Sequence, residues 1–340
     1  MFAPAAQVLE GKSLGNGWTV REKITRPPNS TGGHFSTGYI VEHDDGRIGY
    51  LKALDYSSAF GYSDFADRVK VLADAFIFER DICLKCQNAR ISRVVHAVEH
   101  GSDFGSMPPM TQSDYLIFER ADGDVRKILD ELPAFDAAFA LRTLHGVAAA
   151  LRQMHAADMA HQDLKPSNVL MFMEEGVSKL GDLGRSWAKD IPAPHDGCAI
   201  AGQRSYAPVE LLYGLTLDQN ERRFGCDLYL LGSLVVFMFS RVHINALLQK
   251  HLDPALAPAA GTSYQDSLPF LQSVFNDALD EFASTVPECC RAELRGIVRE
   301  LCDPDFNRRG NQVSSGLRRY ALDRYVSIFD RLAKMVEIKI

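Results

Sequence analysis

The sequence predicts an α+β protein in two parts: a small antiparallel sheet carrying one helix, then a larger, mostly helical body. Three observations carry this. Up to about residue 120, strand candidates alternate with turn residues. The character changes after Ala121-Asp122-Gly123, and residues 135–157 are rich in Ala and Leu at helical spacing. Helical segments then dominate to the end, with no internal repeat.

The elements follow in order. Residues 18–24 (WTVREKI) alternate apolar and polar, as a half-buried strand does. Residues 27–34 (PPNSTGGH) are turn-rich. Residues 37–43 and 47–55 flank an Asp44-Asp45-Gly46 turn, which predicts a hairpin. Residues 64–87 read as a helix. Phe65, Val69, Leu72, Phe76, Cys83 and Cys86 recur at spacings of 3 or 4 with one gap, which Glu79 fills. A carboxylate on a buried stripe needs a cationic partner. Residues 92–100 and 114–120 are further strand candidates. Two short apolar runs, 169–173 and 177–180, can pair as a hairpin. The longest apolar stretch, 228–239, is too short for a bilayer and predicts a buried helix. Near the end, Leu322, Tyr325, Phe329, Leu332 and Val336 recur at helical spacing. That stripe predicts a helix packed on the body of the protein, or one through which the chain self-associates.

Composition narrows the function classes. The 340 residues are 46% hydrophobic and 24% charged, enough for a core without disulfide or metal staples. Lys and Arg number 37 against 44 Asp and Glu, a net charge of −7. That sign disfavours nucleic acid and anionic membranes as general partners. The seven cysteines are scattered and odd in number, which points to a reducing compartment. No signal-peptide pattern opens the sequence, so a cytoplasmic location is expected. Cys83 and Cys86 lie on the apolar stripe and read as buried structural residues, and no second ligand pair accompanies them for zinc.

The segment richest in chemistry is His161 to Asn168 (HQDLKPSN). Asp163 can orient a hydroxyl and accept its proton, Lys165 can neutralise a moving phosphoryl group, and Asn168 can ligate Mg²⁺. Asp182, in GDLG, lies fourteen residues beyond Asn168 (168 to 182). A hairpin between them would bring two hard oxygen ligands together, a pair that suits Mg²⁺.

With these residues in hand, the sequence resembles the eukaryotic-type serine/threonine protein kinases, whose catalytic set is H-R-D-L-x-x-x-N followed by D-F-G. The form here is an HQD variant of a bacterial-like kind. The resemblance spans roughly residues 18–312 and implies a bilobal fold: an extension (1–17), an N-lobe (18–121), a C-lobe (122–315) and a helical tail (316–340). It implies Lys52 as the phosphate-binding lysine, paired with Glu79. It implies a hinge near Phe118 in which the backbone of Glu119 and Ala121 meets adenine and Asp124 reaches the ribose. Glu210 would pair with Arg308 or Arg309, and Asp227 would brace the backbone near His161. The implied substrates are Mg-ATP and protein hydroxyls, with the protein partner unidentified. Two alternatives stand beside this: a small-molecule kinase on the same fold, or a pseudokinase scaffold.

The sequence departs from the family pattern at four places. Thr31 and Ser36 replace the outer glycines of the phosphate loop, leaving Gly32, Gly33 and Gly38 to supply flexible backbone. Gln162 replaces the arginine that meets an activation-loop phosphate, so independence from that phosphorylation is expected. Leu183 stands for the Phe of D-F-G and fills the same kind of apolar slot. Gln203 stands where a Thr helps to order the catalytic Asp and Lys.

Overall fold

The alternating segments become strands of one antiparallel sheet. The computed structural model describes residues 4–25, 35–104, 112–312 and 316–338. The sheet comprises β1 (Trp18–Lys23), β2 (Ser36–His43), β3 (Ile48–Leu54), β4 (Ala97–Phe104) and β5 (Gln112–Glu119), in the order β1-β2-β3-β5-β4. The DG turn makes the expected hairpin, with Glu42 opposite Ile48 and Gly38 opposite Lys52. One face buries Trp18, Val20, Tyr39, Val41, Leu51, Ala53, Tyr115 and Ile117. Ala6 and Leu9, ahead of the first strand, complete that core, and the Tyr39 hydroxyl donates to the Ala6 carbonyl at 2.9 Å.

Helix α1 (Phe65–Asn88) belongs to the same unit, and Leu72 packs on Leu54 and Ala59. Its buried stripe differs from the expected one at the start. Phe65 is exposed and stacks on Phe60 at 5.2 Å, while Phe78 and Ile82 join Leu72, Glu79, Cys83 and Cys86 inside.

The first unit holds the described residues up to Arg90, then Val95–Ala121 and Ile191–Pro194. The strand expected over 92–100 therefore begins late. Residues Ile91–Val94 belong to the second unit, where Val94 bridges Leu180 and the Leu180 N–H donates to the Arg93 carbonyl at 2.9 Å. The apolar pull of Val94 is spent there and not on the sheet.

The second unit holds Ile91–Val94, Asp122–Asp190 and the described residues from His195 onward. Its β6 (Gly123–Asp124) leads into α2 (Val125–Glu131), and Asp136 caps α3 (Ala137–Ala156) by accepting from the Phe139 N–H. Short β pairs follow: β7 (Met159–Ala160) with β10 (Trp187–Ala188), and β8 (Val169–Phe172) with β9 (Val177–Leu180). Then come α4 (Val209–Leu212), α5 (Cys226–Ser240), α6 (Ile244–His251), α7 (Tyr264–Thr285), α8 (Glu288–Cys302) and α9 (Asp323–Ile338).

Helix α5 is the centre of this unit. A π turn, Glu221–Gly225, extends it, so the helical run Glu221–Ser240 has 20 residues, and its most apolar 18-residue window has a mean hydropathy of 1.4. The run is longer than the apolar stretch suggested and meets the length and composition of a membrane span. That window is nonetheless 89% buried inside the protein. Close packing requires Gly232, because a Cβ there would lie 2.4 Å from the Cys302 sulfur of α8. The C-terminal stripe is also used internally: Leu322, Tyr325, Phe329, Leu332 and Val336 are buried, and α9 packs on α3. Arg142 of α3 seals the edge, donating to Asp330 at 3.0 Å and to Glu337 at 2.7 and 2.8 Å.

Candidate active site

Lys52 sits on β3 with Leu51 and Ala53 buried on the opposite face, as the two-residue period of a strand demands. Its ammonium donates to both Glu79 oxygens, at 2.7 and 2.8 Å. The Glu79 side chain is 9% exposed. The charged point on the apolar stripe of α1 thus has its cation, which offsets the cost of burying the carboxylate. At the end of β5, the Glu119 N–H donates to the His96 carbonyl at 3.2 Å, and its carboxylate accepts from the His96 N–H at 2.8 Å. Ala121 lies just beyond and is half-buried. Gly32 and Gly33, with Thr31, lie outside the described residues. Phe35 is exposed, with the Arg68 guanidinium 4.6 Å over its ring.

In the second unit the loop from His161 to Asn168 is fixed from several sides. Asp227, fully buried on α5, accepts from the His161 N–H at 2.9 Å and the Gln162 N–H at 2.7 Å. Gln162 takes a left-handed φ of 59° to allow this. The Asp163 N–H donates to His161 Nδ1 at 3.3 Å. That leaves Nε2 as the protonated nitrogen, which donates to the Gly181 carbonyl at 3.1 Å.

The Asp163 carboxylate is held at both oxygens. Oδ2 accepts from Lys165 Nζ at 2.7 Å and Asn168 Nδ2 at 3.2 Å, while Oδ1 accepts from the Gln203 N–H at 2.7 Å. Gln203, which stands where the family often has a Thr, thus contacts Asp163 through its backbone. The Gln203 side chain goes instead to Ser205 at 3.0 Å.

The β8–β9 hairpin forms as the two apolar runs suggested. Val169 opposes Leu180, and the Gly181 N–H donates to the Asn168 carbonyl at 2.9 Å, so Asp182 follows directly beside Asn168. Asp182 is exposed and left-handed at φ 56°, while Leu183 is buried. Asn168 Nδ2 also donates to the Asp163 carbonyl at 2.8 Å, and its Oδ1 accepts from the Ser167 hydroxyl at 3.4 Å. Asp124 has structural duties. It caps α2, accepting from the Arg126 and Lys127 N–H groups at 2.9 and 3.3 Å, and it pairs with the Arg126 guanidinium at 3.1 Å.

The register left open between two arginines is resolved in favour of Arg309. It is fully buried and meets Glu210 with bonds of 2.7 and 2.5 Å. Arg308 is exposed and faces Asp305 at 3.5 Å. Nearby, burial together with the Arg185 cation holds the His195 imidazole below its usual range.

Sequence reasoning missed Gly202 and Arg223. A Cβ on Gly202 would lie 2.4 Å from the Gln162 carbonyl oxygen and 2.6 Å from Asp163 Oδ1. Nothing local to Gly202 announces that approach. Arg223 donates to the Gln162 side-chain carbonyl at 2.6 Å. The charged pair Arg222-Arg223, set just ahead of an apolar helix, was the signal available for it.

A sheet with one helix bearing a Lys–Glu pair, and a helical unit bearing an aspartate loop beside a second aspartate, define the protein kinase class. The protein kinase domain model matches residues 32–314, most of the chain, and the chain belongs to that family. It is similar to the serine/threonine-protein kinase PkaB of Streptomyces coelicolor, 25% identical over 264 residues, 74% of this chain and 56% of the relative. It is also similar to an Aurora kinase of Yarrowia lipolytica, 27% identical over 207 residues, 60% of this chain and 48% of the relative. The chain thus spans about half the length of these two curated relatives.

Proposed function

We propose that this chain is a serine/threonine protein kinase that transfers the γ-phosphoryl group of Mg-ATP to protein hydroxyls. The observation that carries the reading is the Asp163 carboxylate, buried and held by Lys165, Asn168 and the Gln203 N–H. A carboxylate so fixed can accept a hydrogen bond from an incoming hydroxyl and take its proton as the oxygen attacks phosphorus. The bond from the γ-phosphorus to its bridging oxygen breaks, and ADP leaves. Lys165, beside the same carboxylate, supplies positive charge where the phosphoryl group moves.

Lys52, aimed by Glu79, would hold the ATP phosphates. The backbone of Glu119 and Ala121 would meet adenine, and Asp124 the ribose through a lone pair not used in capping. The donor set suits Mg²⁺: Asn168 Oδ1 and the Asp182 carboxylate are hard oxygens, few enough to leave room for phosphate and water. Bound there, the ion would neutralise phosphate charge. PkaB and the Aurora relatives carry kinase names, which supports protein substrates. The odd, scattered set of seven cysteines supports a reducing, cytoplasmic setting.

We also read the activity as independent of activation-loop phosphorylation. Gln162 spends its side chain on the Arg185 carbonyl, at 3.1 Å, and on Arg223. The test is radiolabel transfer from [γ-³²P]ATP to myelin basic protein, followed by phosphoamino-acid analysis. Label on Ser or Thr is expected, with loss in Lys52→Ala. ATP binding without any transfer would instead indicate a scaffold. Phosphatase treatment of the enzyme should leave the rate within about twofold, and near-total loss would sink the independence.

A further inference from the structure

Arg223 is a charge that the proposed transfer chemistry leaves unexplained. It is 3% exposed, on the π turn ahead of α5, and its guanidinium faces three separate segments. One nitrogen donates to the Gln162 side-chain carbonyl at 2.6 Å, next to Asp163 in sequence. The other donates to Asp196 Oδ1 at 2.5 Å. The guanidinium also lies 5.7 Å over the Trp187 ring, on the short β10 strand. Its Nε is buried without a hydrogen-bond partner among the described residues.

A buried guanidinium is tolerated only with a counter-charge. Among the contacts just named, Gln162 and Trp187 are neutral, so Asp196 provides that charge directly. The neighbouring Arg222 reinforces the grip by donating to the Asp196 carbonyl, at 2.7 Å, and to the Cys198 carbonyl. Residues 196–198 are thereby tied to the π turn. A few residues on, the Gln203 N–H holds Asp163. The same stretch of chain is therefore anchored at one end by an arginine pair and at the other by Asp163.

We propose that Arg223 is a positioning residue for Asp163, and that Asp196 is its built-in counter-anion. The segment between β10 and α4 is held by a carboxylate of this chain where an added phosphate would otherwise be needed. The inference rests on the kinase reading and deepens it. It names the group that substitutes for phosphorylation, where Gln162 alone explains only why phosphate is not bound.

The test uses the full chain with Asp196→Asn and Asp196→Glu, since Arg223 variants risk misfolding. Three quantities are read: kcat, the KM for ATP, and hydrogen exchange over residues 196–203. Asp196→Asn should lower kcat by about tenfold to a hundredfold while leaving the KM for ATP within about twofold. Exchange over 196–203 should quicken, and Asp196→Glu should recover most of both losses. A purely structural role would not separate kcat from KM or be rescued by charge. An Asp196→Asn enzyme within twofold of wild-type kcat, with wild-type exchange, overturns the inference. If wild-type enzyme transfers no phosphate at all, the kinase reading fails by itself. The hold of Asp196 on residues 196–203 is then judged on exchange alone, and equal exchange in wild type and Asp196→Asn overturns it.

Discussion

Asp163 is placed narrowly because three groups hold its carboxylate and the chain at Gly202 approaches it closely. Gly202 is the tightest of them, and a methyl group there meets both the Gln162 carbonyl and the carboxylate itself. Gly202→Ala must displace one or the other. A displacement approaching an ångström at the reacting group costs about a hundredfold in rate. Gly202→Ala is therefore expected to lose kcat on that scale, with the KM for ATP little changed and the melting temperature lowered by only a few degrees, about what 1–3 kcal/mol of overpacking gives. Steady-state kinetics beside a thermal melt checks this, and an unimpaired kcat would contradict it. The contrast with His161 to Asn168 shows what a sequence reveals. That loop was legible because its chemistry is local: aspartate, lysine and asparagine within six residues. Gly202, Arg223 and the Gln203 backbone act on it from positions distant in sequence, and spacing alone carries no trace of such contacts. Asp124 shows the reverse risk, since its helix-capping role was as readable as the ribose role that the resemblance implied.

At the scale of elements, two arginines tie distant segments together through ion pairs that should differ widely in worth. Arg309 and Glu210 are both buried and join α4 to the turn after α8. Glu210→Gln leaves a buried guanidinium undercompensated, which should cost about 3–5 kcal/mol of unfolding free energy. Arg142 with Asp330 and Glu337 lies at the surface of the α3–α9 contact. Arg142→Ala should cost under about 1 kcal/mol, because solvent screens such pairs. Urea unfolding of the two variants tests the ranking, and equal losses would contradict it. Elements with strong periodicity were legible from sequence: the DG hairpin, α1 and the α9 stripe. Their edges were less so. β4 starts late because Val94 finds Leu180, and α5 starts early because a π turn continues it through polar residues that no hydrophobic pattern marks.

For the whole molecule, acid should weaken the fold through histidines kept neutral by burial. Desolvation lowers the pKa of His195, and likewise those of His145 and His243. The unfolded chain protonates such a residue near pH 6.5, while the folded chain does so only at lower pH. His195 therefore costs nothing well above that value. Stability falls as the pH drops from about 6.5 towards the folded pKa, by at most about 1.4 kcal/mol per pH unit for each histidine. Urea midpoints at about pH 7.5 and pH 5.5 should show the loss, and His195→Gln should shrink it. A variant with the full wild-type slope would exclude His195 as a contributor. The central claim concerns chemistry, and it is tested most directly at Asp163. Phosphate transferred from [γ-³²P]ATP should be readily measured for the wild-type chain. It should fall by at least about a hundredfold in Asp163→Asn, while ATP still raises the melting temperature of both proteins. Transfer by Asp163→Asn at the wild-type rate would contradict the account.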